Sequence, residues 1–210
     1  MTQPVDTGTR QERKERTRQA ILDAALTLAA EETLAAVSLR QVTREVGIVP
    51  TAFYRHFASV EELGLALVDE SFASLRGMIR SVRAGNPSLE DVVRDSASIL
   101  VEHVHQHRDH FRFIARERFG GMAEVRIAIA HELDLFEREL AADVARLPGM
   151  EAWSAEDLRI LANLIINAMV ATAESLLDAD GRAAERLAEH VARRQLTMII
   201  VGAANWRSSP

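Results

Sequence analysis

The sequence predicts an all-α fold with about nine helices, arranged as a small N-terminal three-helix domain and a larger C-terminal helical domain. Apolar residues recur at helical spacing along most of the chain, and no stretch shows the period-two alternation of a β-strand. Capping residues precede most of these periodic stretches, and glycine or proline follows most of them. A chain of 210 residues is also long enough to bury a sizeable core.

The first predicted helix begins near Arg10, after a polar segment, residues 1–9, that we expect to be disordered. Residues 10–18 include five basic and two acidic side chains. Two interpretations of this cluster remain open. It is either a solvated helix start with a Glu12–Arg16 pair, or a basic patch in which Arg16 and its neighbours contact nucleic-acid phosphates.

Residues 38–57 predict two short helices joined by a tight turn. Ser38 and Gln41 have the spacing of a capping box, which marks the start of the first helix. Gly47 ends that helix, since glycine adopts the left-handed backbone conformation at little steric cost. Pro50 suits the first position of the second helix, whose two phenylalanines, four residues apart, give it a buried side. Two helices linked in this way form a helix-turn-helix.

The outer surface of this helix-turn-helix is rich in hydrogen-bond donors and its second helix has almost no carboxylate. Such donors can reach phosphate oxygens or base edges, whereas a merely solvated face would more often mix acidic and basic residues. The alternative is an ordinary helical hairpin with a solvated polar face. We favour double-stranded DNA as the partner, and the candidate DNA-binding residues are Arg16, Ser38, Arg40, Gln41, Arg44, Pro50, Thr51, Ala52, Tyr54, Arg55 and His56.

A long helix follows the helix-turn-helix and should connect it to the rest of the chain. Ser59 and Glu62 have capping-box spacing, and the apolar pattern continues to about Ala84. This helix has two apolar stripes, so we expect it to pack on the helix-turn-helix at its start and on a separate core further along. Residues 85–88 break the pattern. The remaining helices are predicted at residues 89–107, 109–118, 122–147, 155–179 and 183–206.

The last two predicted helices are apolar on nearly every side, and such helices must be buried on every side. A monomer of this size rarely supplies that cover, so we expect a homodimer with a four-helix interface. Gly202, Ala203 and Ala204 would permit close approach of the helices. Two-fold symmetry would present two recognition helices to successive major grooves, which predicts a near-palindromic site in the DNA. The alternative is a monomeric bundle.

Several motifs of this chain resemble those of the tetracycline-repressor (TetR) family of bacterial transcriptional regulators. The family pattern covers roughly residues 15–70 and is carried by SLRQVTREVGIVPTAFYRHFASVEELGLALVDES. The segments FYRHF, VEELGLALVDES and FRFIARERFGG are similar to the branch that represses unsaturated fatty acid synthesis and desaturation. Two positions depart from the wider family. Val49 stands where a serine often caps the recognition helix, and Val60 stands where a lysine often contacts phosphate.

The resemblance implies a transcriptional repressor rather than an enzyme, with a DNA-binding domain at residues 1–58 and a ligand-binding and dimerisation domain at residues 59–210. It also implies long-chain acyl-CoA as the effector, with saturated and unsaturated chains acting in opposite directions on genes of fatty acid desaturation. Two alternatives remain open. One is a repressor of an efflux or catabolic operon gated by another apolar compound, and the other is a helical ligand carrier that does not bind DNA.

Aromatic and arginine residues near position 115 form the most unusual stretch of the C-terminal domain. The rings are either core anchors or walls of a tunnel for an apolar ligand whose charged head meets arginines at the mouth. Asn163 and Asn167 either bond across a dimer or hold the ligand thioester. The candidate ligand-binding residues are Phe72, Leu75, Ile79, Leu100, Val104, Phe111, Phe113, Ile114, Arg116, Arg118, Val125, Ile129, Ile165, Ile166 and Met169.

Composition and missing motifs argue against other classes. The chain has no cysteine, so disulfides, thiolate metal sites and a cysteine nucleophile are excluded. His103 and His107 share a helix face, but a metal site needs further ligands, and we favour a polar helix end. No phosphate-binding loop or nucleophile elbow is present. No apolar run approaches the roughly 20 residues of a membrane-spanning helix, so we expect a soluble cytoplasmic protein.

The distribution of charge qualifies the net charge of −6, which by itself argues against a nucleic-acid partner. Residues 1–60 contain 8 Lys and Arg against 7 Asp and Glu, whereas the rest of the chain contains 17 against 24. Phosphate repels an acidic body. The N-terminal region is therefore the part of the chain that we expect to approach DNA.

Overall fold

The computed structural model describes residues 9–83 and 89–208, with the side chains of residues 78–94 outside the described set. The described residues form nine α-helices and no β-strand, which confirms the all-α prediction. Residues 1–8 and the predicted break at residues 85–88 lie outside the described part. The helices are α1 (Arg10–Glu31), α2 (Leu39–Val46), α3 (Pro50–Phe53), α4 (Val60–Arg83), α5 (Leu89–Gln106), α6 (Arg108–Glu117), α7 (Ala123–Val144), α8 (Ala155–Leu177) and α9 (Arg182–Asn205).

Side-chain caps set the starts of α1 and α4. At α1, Thr9 Oγ1 accepts from the backbone N–H of Glu12, and Glu12 Oε2 accepts in return from the N–H of Thr9 at 2.6 Å. At α4, Ser59 Oγ accepts from the N–H of Glu62, whose carboxylate reaches the N–H of Ala58. Each pair satisfies backbone donors that a helix N-terminus leaves without partners.

The end of α7 differs from the prediction, which continued the helix to residue 147. The helix ends at Val144, and the N–H groups of Arg146 and Leu147 bond to the carbonyls three residues earlier, at 3.1 and 2.9 Å. The apolar pattern therefore continues through a tighter turn that follows the α-helix.

The largest buried cluster, which we call the main cluster, joins the N-terminal helices to the helices that follow. Phe53 and Phe57 of the helix-turn-helix lie in it together with Leu63 of α4 and Val125 and Ile129 of α7. These helices therefore share one close-packed core. Because such cores resist compression and transmit strain, movement of α4 or α7 changes the packing beneath the helix-turn-helix.

Two smaller clusters lie further along the chain. One, the α5–α8 cluster, contains Leu100, Phe111 and Leu176. The other, the α7–α8 cluster, contains Val144 and Leu161. Leu75 of α4 packs against both the main cluster and the α5–α8 cluster, in keeping with the two apolar stripes predicted for that helix.

Helix α8 packs against α5, α6, α7 and α9, yet it leaves an apolar face uncovered. On that face, Ile160 and Leu164 are 52% and 51% exposed. By length and composition alone, α8 qualifies as a candidate membrane-spanning helix among the described residues, although Arg159 and Glu174 interrupt its apolar run. One such helix is weak evidence for a membrane, because the core helix of a soluble protein passes the same test.

Candidate nucleic-acid interface

The capping box predicted for α2 is present and uses the polar atoms of two candidate DNA-binding residues. Ser38 Oγ accepts from the N–H of Gln41 at 3.2 Å, and Gln41 Oε1 accepts from the N–H of Ser38 at 2.8 Å. Gln41 Nε2 also donates to Glu32 Oε1 in the α1–α2 loop at 3.0 Å. In this conformation the two side chains fix the start of α2 and its distance from α1, and their contact with DNA stays a prediction.

A left-handed glycine forms the turn of the helix-turn-helix. Gly47 has φ of 72° and ψ of 31°, and its N–H and that of Ile48 satisfy the last carbonyls of α2. Val49 supplies no side-chain cap to α3, as its apolar side chain requires, and Pro50 occupies the first turn of that helix. Backbone groups and Pro50 therefore cap the two helices at this turn, where Ile48 packs against the main cluster.

We call residues 50–57 the recognition segment. Its α-helix, Pro50–Phe53, is shorter than predicted, and a hydrogen-bonded turn continues it to Phe57. Phe53 and Phe57 are buried, with ring centroids 5.8 Å apart, and they anchor the segment on the main cluster. The anchored rings leave Thr51 and Arg55 exposed on the other side.

Tyr54 is the largest side chain on the exposed side of the recognition segment. It is 60% exposed, and its ring meets the buried Phe53 ring edge to face at a centroid distance of 5.7 Å. An apolar ring held at one edge with a free hydroxyl at the other suits a contact with a phosphate or sugar.

Basic side chains surround His56, which is half-buried at the end of the recognition segment. Burial lowers its pKa from the ordinary value of 6.5, and the positive charges of Lys14, Arg18 and Arg55 lower that pKa further, with Glu15 opposing them. Arg18 also lies over the Phe57 ring, with 4.9 Å between the guanidinium carbon and the ring centroid. The basic stretch of α1 therefore lies beside the recognition segment and makes this surface electropositive.

The other candidate DNA-binding residues lie on α1, on α2 and in the recognition segment. Arg40 and Arg44 are exposed on α2, and Arg16 is exposed on α1. Ala52 is partly exposed in the recognition segment. The predicted DNA-binding set thus contains two capping side chains and a majority of outward-facing side chains.

The candidate ligand-binding residues do not line a common cavity in the described part of the chain. Phe72, Phe113, Val125 and Ile129 are buried in the main cluster, against which Leu75, Ile114 and Ile166 pack. Others lie in or against the two smaller clusters, and the side chain of Ile79 falls outside the described residues. Those in or against the smaller clusters are Leu100, Val104, Phe111, Met169 and Ile165.

A cavity of about 340 Å3 lies between α7 and α8 and is open on one side. Arg118, Ile129 and Ile166 are the predicted ligand residues that line it. Asn163 and Asn167 of α8, for which the sequence leaves a dimer contact or a ligand contact open, also line it. Sequence reasoning missed the other lining residues because packing, and not local pattern, decides which faces of two helices meet. The missed residues are Arg126, Ala130, Leu133, Asp134, Glu137 and Val170.

Charged side chains occupy two parts of this cavity. Arg118 bonds to Glu174 at 3.3 Å, and Arg126 donates to the carbonyl of Gly120 at 2.7 Å. Elsewhere in its wall, Glu137 accepts from Asn163 Nδ2 at 2.8 Å.

Arg116, the remaining predicted ligand-binding residue, is partly buried, and its Nη1 has no hydrogen-bond partner among the described residues.

Histidines at the α5–α6 junction are tied to the linking helix α4. Ser74 Oγ lies 3.1 Å from His103 Nε2, and Ser71 Oγ lies 2.9 Å from His110 Nδ1. The His103 and His107 rings are 4.4 Å apart. Among the described residues no group of three or more potential ligands could hold a metal ion. His103 and His110 act as hydrogen-bond partners of α4.

A helix-turn-helix with an electropositive outer surface, carried on a larger helical body with an open cavity, defines the class of DNA-binding regulators with a C-terminal ligand domain. Residues 21–67 match the family described as bacterial regulatory proteins, tetR family. Residues 89–202 match the tetracyclin repressor-like C-terminal domain. The chain belongs to the TetR family of transcriptional regulators, which are generally non-enzymatic DNA-binding proteins and typically act as homodimers with a small-molecule ligand.

Solved structures share the fold at low sequence identity. The fatty acid degradation regulator FadR from Bacillus halodurans superposes with a TM-score of 0.69 at 13% identity, covering 86% of this chain and 94% of its own. A TetR-like transcriptional regulator from Rhodococcus sp. RHA1 gives 0.65 at 20% identity, covering 86% and 96%. A TetR-family regulator from Streptomyces coelicolor gives 0.69 at 17% identity, covering 88% and 96%. These likenesses show the fold.

Proposed function

We propose that this protein is a homodimeric repressor that binds a near-palindromic operator and responds to a long-chain acyl-CoA, controlling genes of fatty acid desaturation or unsaturated fatty acid synthesis. The observation that carries the proposal is the recognition segment, whose buried rings leave Thr51, Tyr54 and Arg55 outward beside the basic stretch of α1. Tyr54, Arg55 and His56 would hold the phosphate backbone, and Thr51 would read base edges in the major groove.

The uncovered faces of α8 and α9 support the homodimer. On α9 the apolar side chains Leu187, Val191, Met198 and Val201 are exposed at spacings that place them on one face. Gly202 has no heavy atom within 4 Å of where a Cβ would be, so a second helix could approach its backbone closely. Two-fold pairing of α8 and α9 would cover both faces and would present two recognition segments to one side of a duplex.

The cavity between α7 and α8 supports an amphipathic anionic ligand. Apolar side chains such as Ile129, Leu133 and Ile166 line it, and Arg118 and Arg126 lie at its wall. An acyl chain would contact the apolar wall, and the arginines would hold the phosphates of the nucleotide head. At about 340 Å3 the cavity holds only part of such a ligand, so binding would require displacement of side chains between α7 and α8. The structurally similar FadR from Bacillus halodurans is a fatty acid degradation regulator, which is in keeping with a ligand of this class.

The DNA half of the proposal is tested by selecting a site from fragmented host DNA with the purified protein and sequencing the bound fragments. We expect recovery of a near-palindromic site in the promoter region of the protein's own or a fatty acid gene. Mobility shift on that site should weaken steeply between about 50 and 200 mM salt. Absence of any salt-dependent site preference would contradict the DNA-binding role and favour a ligand carrier.

The ligand half is tested by native mass spectrometry of protein purified from cells, followed by mobility shift with saturated and cis-unsaturated long-chain acyl-CoA. A retained acyl thioester, with opposite effects of the two chains on operator affinity, is the expected result. To act in this way, the ligand must bind one of two protein conformations more tightly than the other, and the two conformations must differ in operator affinity. Equal operator affinity with and without both compounds would remove acyl-CoA as the effector.

The acidic part of the cavity favours a second candidate function. Asp134 and Glu137 line it, and both pair with Arg159, at 3.7 and 3.6 Å. A cationic amphipathic compound could replace Arg159 as the partner of these carboxylates. A repressor of an efflux or catabolic operon gated by such a compound would bind the same type of operator. Release of the operator by cationic dyes, with no response to acyl-CoA, would support this candidate over the first.

A further inference from the structure

A fully buried carboxylate joins the end of α6 to the loop between α1 and α2. Glu117, the last residue of α6, has no solvent exposure. Its Oε1 accepts a hydrogen bond of 2.7 Å from the backbone N–H of Leu34, which is 83 residues away in the chain. Charged side chains are almost never fully buried unless they are paired or hydrogen-bonded, so this contact accounts for the position of the carboxylate.

The side chain of Leu34 is held as tightly as its backbone. Leu34 is fully buried, and a Cβ placed on Gly64 of α4 would lie 2.5 Å from its Cδ2 and 2.8 Å from Cγ2 of Val125 in α7. The absence of a side chain at Gly64 therefore provides the space that Leu34 fills. One loop residue is thus fixed to α4 and α7 by packing and to α6 by a hydrogen bond.

The opposite side of the carboxylate is equally confined. A Cβ on Gly120 would clash with Glu117 Oε2, so a larger residue at position 120 would displace the carboxylate from this position. Oε2 is buried and has no hydrogen-bond partner among the described residues. The single bond to Leu34 is therefore the contact that orients this side chain in the described structure.

The path from Leu34 to the start of α2 is short. Glu32, two residues before Leu34, accepts from Gln41 Nε2, and Gln41 caps the start of α2 together with Ser38. Val37, three residues after Leu34, is buried in the main cluster. A shift of α6 would therefore move the α1–α2 loop, and the loop would move the start of α2.

We propose that Glu117 is a positioning residue that holds the helix-turn-helix in its DNA-binding orientation and transmits the position of α6 to it. The proposal rests on the function proposed above, since α6 carries residues assigned there to the ligand domain. Contiguous hydrogen bonds and packed side chains of this kind carry coupling between sites when the element has two arrangements. Glu117 would act through the Leu34 amide and would not touch DNA or ligand itself.

The test compares Glu117→Ala, which removes the acceptor, with Glu117→Gln, which keeps a carbonyl oxygen for the Leu34 N–H. The first readout is amide hydrogen exchange of the peptides that contain Leu34, which needs no DNA. We expect fast exchange of this amide in the alanine variant, and slow exchange in the wild type and the glutamine variant. Unchanged protection in the alanine variant would overturn the proposal even if operator binding were never found.

The second readout is affinity for the selected operator. Glu117→Ala should weaken binding about tenfold with an unchanged salt dependence, because the phosphate contacts remain, and Glu117→Gln should restore most of the affinity. Glu124→Ala, an exposed glutamate at the start of α7, is the matched control and should bind as the wild type does. An equal loss in the alanine and glutamine variants would also overturn the proposal.

General destabilisation is separated by Val144→Ala, which truncates the α7–α8 cluster far from the α1–α2 loop. This variant should lower the melting temperature and leave operator affinity within about twofold of the wild type. If it weakened operator binding as much as Glu117→Ala does at the same temperature, Glu117 would be a structural residue and not a positioning one. If the wild type binds no operator, the proposed function fails. The exchange experiment alone then decides whether Glu117 holds the Leu34 amide.

Discussion

Arg55 and Tyr54 are adjacent, exposed side chains of the recognition segment that differ in charge. Arg55→Gln should reduce the slope of log Kobs against log salt concentration by about 0.9, because one fewer phosphate charge is neutralised. Tyr54→Phe should weaken binding to all sequences alike without changing that slope, since only a neutral donor is lost. Mobility shift across a salt series measures both effects, and an unchanged slope for Arg55→Gln would exclude a phosphate contact.

His110 makes stability depend on pH. Burial lowers its pKa below 6.5 in the folded state, and nearby His107 lowers that pKa further, while Glu70, Asp109 and Asp23 oppose the shift. Between the folded pKa and 6.5 the unfolded chain binds more protons, so the free energy of unfolding falls as the pH drops through this window. His110→Asn, which keeps a polar partner for Ser71, should flatten that fall.

The measurement for His110 is urea unfolding at several values from about pH 7 to pH 5. The pKa of His103 is shifted in the same direction, because burial and, to a smaller extent, His107 lower it. His131→Asn is the control, since His131 is exposed on α7 and lies outside the pairs with α4. Parallel pH profiles for wild type and His110→Asn would show that His110 does not contribute.

At the scale of the helices, Gly47 is the position at which the helix-turn-helix requires glycine. Its φ of 72° lies in the left-handed region, so Gly47→Ala should lower the free energy of unfolding by about 1 to 2 kcal/mol. Gly121→Ala is the control, because a Cβ there would meet only the Cβ of Ala35 at 3.4 Å. Urea unfolding measures the difference, and equal stabilities for the two variants would contradict the role of the turn.

Helix starts were predictable because capping signals act within three or four residues. Ser38 and Gln41 form both bonds of the predicted capping box. Ser59 accepts from the N–H of Glu62 as predicted, but the Glu62 carboxylate accepts from the N–H of Ala58 and not from that of Ser59. The end of the recognition segment was not predictable, because the apolar spacing of its phenylalanines is satisfied equally by a helix and by a hydrogen-bonded turn. The local sequence pattern thus indicates where helices begin. It does not specify the backbone geometry that decides where they end.

The outward surface of the helix-turn-helix was predictable for the same reason, since two buried rings determine which side chains face away. Contacts distant in the sequence were not predictable. Nothing near Glu117 or Leu34 indicates that the two meet, and the wall of the α7–α8 cavity depends on which faces of two long helices touch. Phe113, for which the sequence leaves a core position or a tunnel position open, lies in the main cluster.

At the scale of the whole molecule, the uncovered apolar face of α8 should form the homodimer interface. Leu164→Glu places a charge in the centre of that face and should convert the dimer to a monomer, with loss of operator affinity. Ile127→Glu is the control, because Ile127 is also an exposed apolar residue but belongs to α7. Sedimentation velocity measures the outcome, and a dimeric Leu164→Glu variant would place the interface elsewhere.

The central claim is that paired helix-turn-helix units of this chain bind a duplex operator. The most direct test is native mass spectrometry of the complex with the selected operator, combined with a hydroxyl-radical footprint. We predict an even number of chains on each duplex and protected half-sites about 10 base pairs apart, on one side of the DNA. One chain per duplex, or a footprint without two-fold symmetry, would contradict the claim.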